Sequence, residues 1–208
     1  MAAADKAVQQ GNLPVAECLL WEALKLAEYF GPESAQVVNT AQRLGDILLR
    51  QSKFQDAEDL LLRLAQMLGS ATGSGAAANA ETLLKLAELY YAQGKYEQAE
   101  PFGLRALRCY ETMYGNGHIK TCRIAGNVAY IFHAQNKTSE AEELYKRAIS
   151  AKTKDGRFDA ESVNIIRSYS SLLISMHREE EASHMMRCVE GLESGNWQVY
   201  QGESEQLT

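Results

Sequence analysis

The sequence predicts an all-α fold, a solenoid of antiparallel helix pairs stacked along the chain. Two regularities and one scarcity carry that expectation. An alanine recurs at Ala16, Ala57, Ala99, Ala141 and Ala182, at intervals of 41, 42, 42 and 41 residues. A small residue stands twelve positions before each of the last four: Gly45, Ala87, Ala129 and Ser170. Only three prolines interrupt 208 residues, which leaves most of the chain open to long helices. Landmarks that keep register over the whole chain mark a repeat array, in which each unit buries its apolar face on the next.

Each unit reads as two helices. The second helices contain LPVAECLLWEAL, FQDAEDLLLRL, YEQAEPFGLRAL, TSEAEELYKRAI and EEEASHMMRCV, aligned on the alanine. The first unit has lost most of its first helix. In the third unit, AETLLKLAELYYAQ carries Leu83, Leu86 and Tyr90 at three- and four-residue steps, the period of a half-buried helix. Gly45, Ala87 and Ala129 let two helix backbones approach, and Phe54 and Tyr96 fill the space beside that contact. Short turns join the helices at Ser52-Lys53, Gly94-Lys95 and Asn136-Lys137. The last unit departs there, with His177 and Glu179 in the turn places. Longer connections follow each pair, and Gly31, Gly69, Gly115 and Gly156 stand where a left-handed helix cap is expected. GSATGSGAAAN, residues 69–79, reads as one such loop, with the array in phase through it. Pro101 falls inside a second helix, where a bend is expected and not a break. Residues 1–193 are read as one domain of about five units, degenerate at both ends. Residues 194–208 are read as a disordered or capping tail, with Trp197 and Tyr200 as groups able to dock on the last pair.

Composition removes several function classes. Hydrophobic residues make up 46% and charged residues 23%, an ordinary globular balance. A net charge of −6 argues against nucleic acid, which selects a basic footprint. No run approaches the ~18 apolar residues of a membrane span, and MAAADKAVQQG lacks the pattern of a secretory signal. Cys18, Cys109, Cys122 and Cys188 are far apart and form no CxxC pair, so reduced thiols and a cytoplasmic location are expected. The match Asn136-Lys-Thr138 to a glycosylation pattern is then coincidental.

No catalytic constellation emerges. His118, His133, His177 and His184 form no HExxH, and His118 with Cys122 has no second ligand pair. Gly115-Asn-Gly117 lacks a third glycine, and GSATGSG is not followed by Lys-Ser or Lys-Thr. Glu142-Glu143 and Glu179–Glu181 read as solvated helix faces. A non-enzymatic protein with no cofactor and no metal is expected.

The small residue in the first helix, the Gly-x-Tyr turn of GKYEQAEP and the alanine in the second helix resemble the tetratricopeptide repeat. The 42-residue spacing and GNGHIKT are similar to its kinesin light chain type. The resemblance covers about residues 1–192 and is strongest at 80–121, although the repeated Asn-Asn pairs and coiled-coil heptads of kinesin light chain itself are missing. It implies a right-handed superhelix whose first helices line a concave groove. The groove positions it implies are Asn39, Gln42, Arg43, Asp46, Leu49 and Arg50, then Glu81, Leu84, Lys85, Glu88 and Tyr91. Further along come Arg123, Gly126, Asn127, Tyr130 and His133, then Asn164, Arg167, Ser168, Ser171 and Ile174. Eleven of these are the peptide-binding candidates: Asn39, Arg43, Arg50, Lys85, Glu88, Tyr91, Arg123, Asn127, Tyr130, Asn164 and Arg167.

Arginine takes carboxylates as a fork, tyrosine offers apolar area with a polar tip, and asparagine pairs with an extended backbone. The expectation is a scaffold or adaptor for an extended, somewhat acidic peptide with an aromatic or apolar anchor. Arg43 fits one place of the carboxylate clamp found in chaperone-binding relatives, but its paired Lys and Asn are missing. Two other readings stand beside it. One is a structural module that self-associates or caps a larger complex, with Trp21 as a contact. The other is the regulatory sensor region of a signalling protein.

Overall fold

A computed structural model describes residues 2–30, 34–69, 74–155 and 160–193. The described residues form ten α-helices. The first helices of the units are α1 (Ala2–Gln9), α3 (Ala35–Arg50), α5 (Ser74–Ala92), α7 (Ile119–Ala134) and α9 (Ala160–Ser175). The second helices are α2 (Leu13–Phe30), α4 (Phe54–Met67), α6 (Tyr96–Tyr114), α8 (Thr138–Asp155) and α10 (Glu179–Glu193). The chain divides into two compact units, Met1–Cys109 and Tyr110–Thr208. The tail at 194–208 and the glycines Gly31 and Gly156 lie outside the described residues.

One turn recurs five times. Gly11, Ser52, Gly94, Asn136 and His177 all adopt positive φ, between 58° and 72°. They are spaced as the alanines are. At each, two backbone bonds close the preceding helix: Lys53 N–H donates to Leu48 O at 2.9 Å and Ser52 N–H to Leu49 O at 2.9 Å. Arg178 N–H to Leu173 O and His177 N–H to Ile174 O repeat them at 2.9 and 3.0 Å. This is a Schellman cap, which satisfies carbonyls that a helix end leaves open. The last unit, expected to depart at its turn, departs in residue type and keeps the geometry. A left-handed backbone is costly for most side chains, and five backbone caps in register hold it regardless.

In the first unit of the fold, Leu20, Leu24, Leu44, Leu48, Leu61, Leu83, Leu86 and Leu89 are fully buried. Each such burial contributes roughly 1.5–3 kcal/mol. Gly45 is the close approach the sequence predicts: a Cβ there would sit 3.1 Å from Leu61 Cδ2 of α4. Ala16, Ala57 and Ala99 have no exposure at all. Two expectations need correction. Residues 74–79 of the Gly/Ser/Ala stretch are the opening of α5 and not loop. Ala76, Ala77 and Ala78 are strong helix formers, and the Ala78 carbonyl is held from outside by Gln42. Gly69 does not adopt a left-handed conformation, whereas Gly115 does, at φ 85°. Helix α6 runs without interruption through Pro101.

The second compact unit packs α7 on α8 and α9 on α10. Ala141, Ala148 and Ala182 are buried, and the Ser170 hydroxyl donates to Ala182 O at 3.1 Å. That bond puts the α9 side chain on the backbone of α10, at the fourth small-residue place. Gly126 makes a tighter approach than Gly45. A Cβ on it would lie 2.7 Å from Ile165 Cδ1 and 3.1 Å from Cγ1. Tyr145 is fully buried at the centre of this unit.

Candidate functional site

The eleven candidate residues all lie on first helices, and none is fully buried. On α3, Asn39 and Arg50 are exposed and Arg43 is half-buried; on α5, Glu88 and Tyr91 are exposed and Lys85 is half-buried. Their neighbours engage two of the cations. Arg43 pairs with Asp5 of α1, and Lys85 pairs with Asp46 of α3. Gln42, expected to face outward, is buried. Its amide donates to Ala78 O at 3.0 Å and to Thr82 Oγ1 at 3.2 Å on α5. Leu84 is buried as well. Helix by helix, α1, α3 and α5 are joined along this face by polar side chains. The Tyr91 ring tilts against Tyr96 at 5.2 Å, and burial, with Tyr96 beside it, pushes the Tyr91 hydroxyl pKa up.

On α7, Arg123 is exposed and Asn127 and Tyr130 are half-buried; on α9, Asn164 and Arg167 are exposed. Helix α7 contains no Asp or Glu. Gly126, also expected outward, is buried against Ile165. Tyr130 meets the edge of Tyr145 at 5.7 Å, and His133 meets it at 6.1 Å. The Tyr145 hydroxyl is 3.4 Å from His133 Nδ1, and burial lowers the His133 pKa. Tyr145 also lies 5.9 Å from Tyr169, whose hydroxyl donates to Glu142 at 3.1 Å. Burial, then the Glu142 charge, pushes the Tyr169 pKa well up. An exposed Ile174 closes the face on α9.

Not foreseen from the sequence was the acid after the repeat alanine. Glu17 accepts Lys53 Nζ at 2.7 Å and Gln51 Nε2 at 2.9 Å. Glu58 accepts the Tyr90 hydroxyl at 2.8 Å, and burial followed by that bond pushes Tyr90 up to about 12. Glu142 accepts Arg178 at 2.7 Å and Lys146 at 2.9 Å. The residue thus ties its helix to the next pair. The signal was present, as Ala-Glu at 16–17, 57–58, 99–100 and 141–142. A second repeated pair runs between second helices, Arg63 to Glu28 at 2.6 Å and Arg147 to Glu111 at 2.7 Å. Trp21 is half-buried and bonds Glu17.

The remaining chemistry is structural. The His118 ring caps α7 by accepting Lys120 N–H at 3.2 Å and stacks on Tyr114 at 4.9 Å. Cys122 is buried and donates its thiol to Asn116 O at 3.4 Å. All four cysteines are free. Among the described residues no group of three or more His, Cys, Asp or Glu is placed to hold a metal, and no helix is long and apolar enough to cross a membrane.

Residues 79–154 match a family model described as tetratricopeptide repeat, and residues 43–113 match a second model with the same description. Among solved structures, a Podosopora anserina protein described as a kinesin light chain with nearly identical TPR-like repeats aligns with a TM-score of 0.78. It is 15% identical, over 93% of this chain and 92% of that one. BtubC (BKLC) from P. vanneervenii aligns with a TM-score of 0.70 at 20% identity, over 85% and 73%. MamA from Desulfovibrio magneticus aligns with a TM-score of 0.64 at 11% identity, over 93% of each chain. At these identities the likeness is one of fold, the α–α superhelix of antiparallel helix pairs. No curated protein sequence matches the chain.

Proposed function

The chain is a tetratricopeptide repeat protein, and we propose that it is a non-enzymatic scaffold that binds an extended peptide along its first-helix faces. Proteins of this fold serve in general as platforms for other proteins. The observation that supports a peptide of acidic character is the charge of α7. In a chain of net charge −6, this helix has no acid and presents an exposed Arg123 beside Asn127 and Tyr130. Arg167, also exposed, adds a cation from α9. On α3 and α5, Arg43 and Lys85 hold carboxylates of adjacent helices. The acid-free α7 and the exposed arginines of α7 and α9 favour this part of the surface for acidic side chains, with Tyr130 and Ile174 as the apolar ground for an anchor. Asn127 and Asn164 are assigned to the peptide backbone. In the other compact unit, Asn39, Arg50, Glu88 and Tyr91 offer exposed side chains for a peptide on α3 and α5.

The test is fluorescence anisotropy with a panel of extended peptides, each with one aromatic residue flanked by Asp and Glu or by Asn and Gln. Tighter binding of the acidic set, weakened by salt, is expected. Changing Arg123→Glu and Arg167→Glu together should abolish that preference and leave helicity unchanged. A double variant that still binds the acidic set more tightly would remove the charge argument.

A further inference from the structure

Helix α2 differs from the other second helices on its outward side. Val15, Cys18, Glu22, Lys25, Leu26 and Tyr29 are all exposed and fall within one stripe about 100° wide. Leu26 keeps 62% and Tyr29 84% of its surface, and Val15 keeps 45%. Where α2 has Val15 and Cys18, the repeat register places Asp56 and Asp59 on α4, and Glu140 and Glu143 on α8. Where it has Tyr29, α6 has Thr112 and α8 has Lys154. A solvated face needs no tyrosine and leucine one turn apart, and a contiguous exposed apolar patch marks a contact surface. The opposite flank of α2 is engaged: Glu17 bonds Lys53 and Glu28 bonds Arg63.

We propose that this stripe is the interface between two copies of the chain, with their α2 helices packed antiparallel. The two charges in the stripe, Glu22 and Lys25, select that occupant. A two-fold axis between them sets Glu22 of one copy against Lys25 of the other, twice, and brings Tyr29 opposite Cys18. Parallel packing would set Glu22 against Glu22 and Lys25 against Lys25, and like charges across an interface oppose it. The stripe is thus complementary to itself, which an isologous dimer requires. From Val15 to Tyr29 it runs ~21 Å, at 1.5 Å per residue. Leu26 lies beside the axis and Tyr29 toward each end of the stripe, and the charges at the axis fix the register. Such a dimer would present two copies of each first-helix face, so a partner with two binding segments would gain avidity. This inference stands or falls apart from the peptide reading, because no residue of the stripe lies on a first helix.

The test is sedimentation velocity on the full chain across a dilution series, in reductant so that the exposed Cys18 thiols cannot link. The natural chain is expected to be a dimer that dissociates on dilution. Leu26→Glu with Tyr29→Glu should weaken it by at least ~10-fold. Glu22→Lys and Lys25→Glu should each weaken it, and the two together should restore it. All these side chains are exposed, so helicity by circular dichroism should be unchanged. A natural chain that stays monomeric at ~100 µM, well above the Kd range of stable dimers, overturns the proposal. So does a dimer indifferent to Leu26→Glu with Tyr29→Glu. Failure of the double charge exchange to restore the dimer overturns the antiparallel register.

Discussion

The first-helix faces of the two compact units share one repeat frame and are held by different forces. In Met1–Cys109 the face is a run of polar bridges: Asp5 to Arg43, Gln42 to Thr82, Asp46 to Lys85. In Tyr110–Thr208 it rests on rings, with Tyr130 and His133 edge-on to a buried Tyr145, and Tyr145 beside Tyr169. The repeat fixes where a side chain points and leaves open what it does there. Where an acid stands in register with a cation, the cation serves the fold. At the places of Asp46 and Glu88, α7 and α9 carry Tyr130 and Ser171, and Arg123 is exposed.

The strongest way to break this contrast is to remove its centre in each unit. Tyr145→Ala is expected to cost about 3–5 kcal/mol, the usual range for emptying a buried aromatic site. Tyr145→Phe keeps the ring and should cost only about 1 kcal/mol, the worth of a hydrogen bond. Arg43→Ala and Lys85→Ala should each cost less than about 1 kcal/mol, because at least one partner in each pair is well exposed to water. Urea unfolding followed by circular dichroism measures all four. If the ion-pair variants lose as much as Tyr145→Ala, the polar bridges carry the first unit and the contrast fails.

Two glycines sharpen it further. Ala is favoured over Gly in a helix by about 1 kcal/mol, so Gly45→Ala has a gain to set against its 3.1 Å contact with Leu61. A net change within about 1 kcal/mol of zero is expected. At Gly126 the contact is 2.7 Å, with Ile165 itself nearly fully buried and unable to swing aside. Gly126→Ala should therefore destabilise by about 1–3 kcal/mol. A melting curve that ranks Gly45→Ala below Gly126→Ala would show that the α7–α9 junction is the more compliant of the two.

Much of the frame was legible in the sequence because it rests on residues that must recur. Ala16, Ala57, Ala99, Ala141 and Ala182 are all buried. The turn was legible as Gly94 or Asn136 and illegible as His177, because the cap is made by backbone bonds and the side chain only has to tolerate it. The start of α5 was hidden by Gly and Ser beside three alanines, where composition points both ways. The candidate surface was legible as positions and not as availability. Arg43 and Lys85 look like free cations until residues 38 and 39 positions away are brought against them. Register could have shown this, since Asp46 and Lys85 are offset by three places in adjacent units. Helical neighbours of that kind become visible only once the stacking of α3 on α5 is known.

The smallest effect tests the charge that ties α8 to the turn before α10. Burial alone would raise the Glu142 pKa, but the bonds from Lys146 and Arg178 outweigh it, and the carboxyl sits below its ordinary 4.5. A carboxyl whose pKa is lowered by folding stabilises the folded chain above its unfolded value and ceases to do so as pH falls. Glu142→Gln should therefore cost about 1 kcal/mol at pH 7, in the range of a part-exposed charged hydrogen bond. Below 4.5 the natural chain protonates Glu142 and loses the same contribution, so the two unfolding midpoints should converge as the medium is acidified. Glu17, lowered first by its bond from Lys53, predicts the same behaviour in the other unit. Parallel curves for Glu142→Gln and the natural chain from pH 7 to pH 3 would mean that Tyr169 and the packing around it, not the charge, hold α8 to its neighbour.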